Sequence, residues 1–180
     1  MMQRHLLLGL MFLGGSLAFA RPAEAQRSGF IIGFGLGPGF SSYTSFPDRE
    51  SKFGVAFDFH IGGVINSLEI FYVNKVIFTS DDDVDAIVTG VSGVGVAYPL
   101  NPDFAVTGAI GIGVLREIDA DAGSTASFTG LGLLAGGRYK LNESGRWMLN
   151  FDIYYVNPGD ENFGALSIWG LQATINVMSH

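Results

Sequence analysis

The stretch KFGVAFDFHIG, from Lys52 to Gly62, alternates without a slip. Phe53, Val55, Phe57, Phe59 and Ile61 fall on one face, and Lys52, Gly54, Ala56, Asp58, His60 and Gly62 on the other. A helix would scatter these phenylalanines around its circumference, whereas a strand aligns every second residue. The stretch is therefore a β-strand with two unlike faces. Two all-β folds can use such a strand. In a soluble barrel the phenylalanines form the core. In a membrane barrel they meet lipid, and Asp58 and His60 enter the lumen.

The same rhythm recurs along the chain and predicts eight strands, at about 29–40, 52–64, 68–79, 86–98, 103–116, 127–141, 146–157 and 164–177. Each exceeds the roughly five or six residues usual in soluble sheets and suffices for the roughly 9–11 that cross a bilayer at a tilt. The connections alternate in length. SSYTSFPDRES, SDDDVD, EIDADAGSTA and PGDENF are the longer ones; the turn at Asn66-Ser67, PLNP and NESG are short. With the N-terminus on one side, all the longer connections fall at one rim, an asymmetry of outer-membrane barrels.

Composition points the same way. The chain of 180 residues is 48% hydrophobic and only 15% charged, with 26 glycines, no cysteine and a mean hydropathy of +0.33. Soluble domains carry about 25% charged residues. No segment after the leader runs eighteen apolar residues unbroken, so helical spans are not expected. The start reads as a signal peptide over residues 1–25: Arg4, the apolar run Leu6 to Ala20, and an A-x-A cleavage site at Ala23-Glu24-Ala25. The barrel domain is then expected over 26–180. From Gln26 onward, eight Lys/Arg stand against sixteen Asp/Glu, with no basic run, so nucleic acid is not an expected partner.

Three features favour the apolar face outside. The second face is small as well as polar: Gly33, Gly35, Gly37 and Gly39 on the first strand, Ala105, Thr107, Ala109, Gly111 and Gly113 on the fifth. Small residues suit the narrow interior of an eight-stranded barrel. Strand charges lie opposite the apolar set, as at Asp58, Arg138, Lys140, Arg146 and Asp152; Lys or Arg facing mid-bilayer costs roughly 2–4 kcal/mol. Tyr98, Phe104, Tyr139, Trp147 and Tyr155 sit near strand ends on the apolar face, where interfacial girdles form. The third strand departs from this pattern. Phe71, Val73 and Ile77 share a face with Glu69 and Lys75, which predicts a register slip or bulge.

With its leader, strand count, loop asymmetry and two-faced strands, the chain resembles the small eight-stranded outer-membrane β-barrel proteins, such as the barrel of outer membrane protein A. The resemblance spans the whole mature chain. It implies a closed antiparallel transmembrane β-barrel in the outer membrane, with lipid around it and insertion by the barrel assembly machinery. It also implies a lumen plugged by side chains. Such barrels usually end in an aromatic residue; here Trp169 is the last aromatic and the chain ends Ile175-Asn176-Val177-Met178-Ser179-His180.

Two constellations follow. Asp58, His60, Glu69, Lys75, Arg138, Lys140, Arg146 and Asp152 are expected to form a charge network filling the lumen, because buried charges must be paired; a gate is the alternative reading. Asp81, Asp82, Asp83 and Asp85 share one loop of the outer rim, with Glu117, Asp119 and Asp121 in a second and Asp160 and Glu161 in a third. A solvated rim is the plain reading, and weak divalent-cation binding the alternative. DDDVD lacks the glycine and distal glutamate of an EF-hand loop. His60 is the only histidine between the leader and the terminal His180, and no serine shares its strand face, so no enzyme and no cofactor are expected. GFGLGPG, GVSGVGV and GAIGIG open no helix and read as small lumen-facing residues. The expected role is structural or surface-interactive. A narrow porin-like channel and a soluble lipocalin-like barrel around an apolar ligand are the alternatives.

Overall fold

The computed structural model describes residues 29–45, 48–80, 86–119, 124–157 and 167–179. They form β1 (Gly29–Ser45), β2 (Asp48–Ile65), β3 (Leu68–Thr79), β4 (Ala86–Pro99), β5 (Phe104–Asp119), β6 (Ser124–Lys140), β7 (Trp147–Asn157) and β8 (Ile168–Ser179). Each strand pairs antiparallel with its sequence neighbour, and β8 returns to β1 to close the barrel. Closure leaves no free edge, so every spanning backbone group can be satisfied within the wall, which lipid demands. On the β1–β8 seam the ladder runs to Leu36↔Ile175 and resumes at Gly39↔Gln172. Pro38, which has no N–H to donate, lies in the interval.

Local chemistry accounts for the short turns. Asn66 and Ser67, at φ of 51° and 71°, form a two-residue hairpin whose twist suits the flanking strands. The Asn101 side chain accepts the Asp103 and Phe104 N–H groups at 2.9 and 2.8 Å, folding the β4–β5 turn. Asn142 does the same for Trp147 at 3.1 Å, and Gly145 supplies a left-handed φ of 67°.

The opposite rim differs from expectation. Much of SSYTSFPDRES and EIDADAGSTA is strand, not loop: β1 and β2 pair out to Ser45↔Asp48, and β5 and β6 to Asp119↔Ser124. These residues continue the ladders although no hydrophobic alternation marks them, because cross-strand backbone pairing does not depend on it. The β1–β2 and β5–β6 ladders thus take up much of these two connections.

The apolar face is outside. Phe53 is 82% exposed, and Phe34, Leu36, Phe151, Leu171 and Ile175 are exposed on the same wall, while Asp58 is fully buried. This arrangement is the reverse of a lipocalin-like core. Tyr98, Phe104, Tyr139 and Trp147 all face outward near the short-turn rim. Tyr155 packs against Trp169 near the other, with ring centroids 4.6 Å apart and the planes tilted by 48°.

β3 neither slips nor bulges. Its pairing is continuous with β2 and with β4, and Phe71, Val73, Lys75 and Ile77 all point into the lumen. Glycines on other strands make room for them. A methyl group on Gly95 would come within 2.6 Å of Phe71, and one on Gly39 within 2.8 Å of Ile77. The lumen is thus layered. Ile31, Phe71, Val73 and Ala97 form one apolar cluster towards the short turns. Tyr43, Ile77, Val91, Leu115, Tyr154 and Val156 belong to a second towards the other rim. On β3, Lys75 marks the polar layer between them.

Candidate functional site

The polar layer is built from four strands. Lys75 of β3 donates to Asp58 Oδ2 of β2 at 2.8 Å and to Asp152 Oδ2 of β7 at 2.5 Å. Asn150 Nδ2 donates to the same Asp58 oxygen at 2.8 Å, and Thr174 Oγ1 of β8 at 3.4 Å. Asn176 Nδ2 donates to Thr174 Oγ1 at 2.8 Å. His60 Nδ1 lies 3.6 Å from Asp58 Oδ1, and its Nε2 lies 2.7 Å from the Met178 sulfur. One ammonium therefore bridges two carboxylates across the barrel. Such a buried pair contributes modest net stability, but removing its cation strands two buried charges.

A second pair lies nearer the short turns. Arg138 Nη1 donates to Glu69 Oε2 at 2.5 Å, and its guanidinium carbon sits 5.6 Å from the centre of the Phe71 ring. Above the polar layer, the Tyr154 and Thr89 hydroxyls lie 2.6 Å apart and add a further cross-lumen bond.

Of the residues singled out in the sequence, Asp58, His60, Lys75 and Asp152 come together, and Glu69 and Arg138 form their own pair. Arg146 does not join them: it precedes β7 in an exposed turn. Lys140, half-buried, is the last residue of β6 and lies beside Gly145. Alternation assigns a face but not a height, and both residues sit at the rim, where the wall no longer encloses them. Asp81, Asp82, Asp83, Asp85, Asp121, Asp160 and Glu161 lie outside the described residues, as do residues 1–25, where a signal peptide is expected. Asp119 closes β5 opposite Ser124, and Glu117 is half-buried on the same strand. Among the described residues no group of three or more His, Cys, Asp or Glu could hold a metal ion.

Sequence reasoning followed charge and so missed the neutral members. Asn150 shares a face with Asp152, and Gln172, Thr174 and Asn176 alternate with Leu171, Ala173 and Ile175. That alternation was a usable signal. Several lumen atoms make no hydrogen bond: Asp58 Oδ1, Asp152 Oδ1, Asn150 Oδ1, Asn176 Oδ1 and both amide atoms of Gln172. Buried polar atoms of this kind are where proteins hold internal water.

The family model for the outer membrane protein beta-barrel domain matches residues 7–178. No curated protein sequence matches the chain. Among solved structures, the attachment invasion locus protein of Yersinia pestis is similar at a TM-score of 0.60 and 10% identity, covering 83% of this chain and 98% of that one. The same protein in complex with the heparin analogue sucrose octasulfate gives 0.58 and 11%, covering 83% and 99%. Neisserial surface protein A gives 0.58 and 17%, covering 84% and 98%. At these identities the likeness is one of fold.

Proposed function

The chain belongs to the outer membrane protein beta-barrel domain family, and from that premise we propose that it is a sealed barrel with a structural or surface-interaction role. One observation carries this reading: Lys75 clamps Asp58 and Asp152 across the lumen, with an apolar cluster on either side along the barrel axis. An ion would have to displace a paired buried charge and then cross a layer packed with Tyr154, Ile77 and Val156. An eight-stranded barrel is only wide enough for its own side chains. The test is conductance of the purified barrel in planar bilayers. A sealed barrel gives no steps above baseline; reproducible unitary steps would overturn the reading.

A narrow channel is the second reading, and the polar atoms that make no hydrogen bond favour it. Lys75 is shared between two carboxylates, so a re-pairing that releases one of them would open a water-lined path past Gln172 and Asn176. In that case the same recording shows steps, and Lys75→Met changes their size or frequency.

At the outer rim, the acid-rich segments Asp81 to Asp85 and Glu117 to Asp121 would repel a polyanion. The heparin analogue bound by the Yersinia pestis protein is therefore a poor guide to a ligand here. A cationic partner, or a divalent cation bridging to lipid phosphates, fits this rim better.

A further inference from the structure

The outward face of the wall is free of charge except at one place. Among the described side chains, Arg116 of β5 is the only charged residue in the outward set of any strand. It is exposed, while Leu115 before it is buried in the lumen and Glu117 after it is on the lumen side. Its depth follows from the strand. Arg116 lies twelve residues beyond Phe104, which faces outward near the short-turn rim. At about 3.3 Å per residue and a tilt near 40°, that is about 30 Å along the membrane normal, against an apolar band about 25 Å tall. Arg116 is therefore at the level of the lipid headgroups at the outer rim. β6 changes character at the same height. Its outward residues Leu133 and Leu131 give way to the exposed Thr129 and Ser127. Thr129 is opposite Val114, and Ser127 is the direct partner of Arg116.

We propose that Arg116, with Ser127 and Thr129, binds the phosphate of an anionic membrane lipid in the leaflet at the outer rim. The inference goes beyond the sealed-barrel reading and rests on the chain spanning a membrane, whether or not the lumen is closed. Charge and shape select a phosphate. A guanidinium presents its N–H groups as a planar fork that fits two phosphate oxygens, and hydroxyl groups beside it can donate to a third. Position selects a lipid as the source. The site faces sideways out of the wall at headgroup depth, where a lipid is the neighbour. The wall's own outward set supplies no carboxylate among the described side chains, so the counter-charge comes from the membrane. Glu117, which would repel a phosphate, is turned to the other face of the strand.

Native mass spectrometry of the folded barrel in a non-ionic detergent tests this. The barrel is checked for its folded gel mobility and mixed with phosphatidic acid and phosphatidylcholine of the same chain length. The expected result is an adduct of one phosphatidic acid in preference to phosphatidylcholine. Arg116→Gln should cut its yield about fivefold, the worth of one arginine beside an anionic lipid surface. Arg116→Lys, which keeps the charge without the fork, should lose less. Arg146→Gln, in the exposed turn of the opposite rim, should leave the adduct unchanged. Replacing chloride by inorganic phosphate at equal ionic strength should also leave it in place. Equal retention of the two lipids, no response to R116Q, the same loss from R146Q as from R116Q, or displacement by inorganic phosphate would overturn the proposal.

Discussion

The Tyr154 ring fills the space over the Cα of Gly170, its direct partner on the β7–β8 ladder. A methyl group there would overlap the ring. The same relation holds between Gly113 and Val156 and between Gly33 and His60. The lumen is packed as large side chains set into glycine sockets. Gly170→Ala is therefore expected to push Tyr154 aside, break its 2.6 Å bond to Thr89 and destabilise the barrel by about 1–3 kcal/mol. Urea unfolding of the purified protein in lipid vesicles measures this as a lower midpoint at unchanged slope.

Lys75 is the member of the polar layer whose loss costs most. Lys75→Met leaves Asp58 and Asp152 facing each other without a cation, a change expected to cost about 3–5 kcal/mol. The two carboxylates should not respond alike. Asp58 accepts bonds from Lys75, Asn150 and Thr174. For Asp152 the bond from Lys75 is the principal contact. Asp58→Asn should therefore destabilise more than Asp152→Asn in the same unfolding assay. Neutralising both in the Lys75→Met background should recover part of the loss.

The outer wall makes a depth-dependent prediction. Phe59 pairs with Phe34 and Asn74 near mid-wall, while Phe53 lies towards the outer rim. Phe59→Arg should cost about 2–4 kcal/mol, and Phe53→Arg about 0–1 kcal/mol, because an arginine near the interface reaches water. Unfolding free energies in vesicles distinguish the two. Equal costs would place both residues at the same depth.

Alternation made the wall legible before any coordinates. Phe53 to Ile61 against Asp58 and His60 assigned both faces of β2, and the same reading held on most strands. It failed in two places for physical reasons. On β3 both faces are apolar, because Phe71 fills the space over Gly95 of the neighbouring β4 and Ile77 the space over Gly39 of β1, and no pattern within β3 itself encodes partners on other strands. At the outer rim, Tyr43 to Ser45 and Asp48 to Ser51 are strand without hydrophobic alternation, because their backbone ladder alone continues the pairing. In the lumen, charge identified Asp58, Lys75 and Asp152 but not the height of Arg146, nor the neutral Asn150, Thr174 and Asn176 that complete the network.

The most direct measurement is gel mobility with and without boiling. The full chain is expressed in a Gram-negative host, outer membranes are isolated, and both samples are run side by side in detergent. A closed barrel with its phenylalanines in lipid resists detergent until heated, so the unboiled band should come from the membrane fraction and migrate faster than the boiled one. A soluble protein with a single mobility would contradict the account, and would put Phe53, Phe57 and Phe59 in a core.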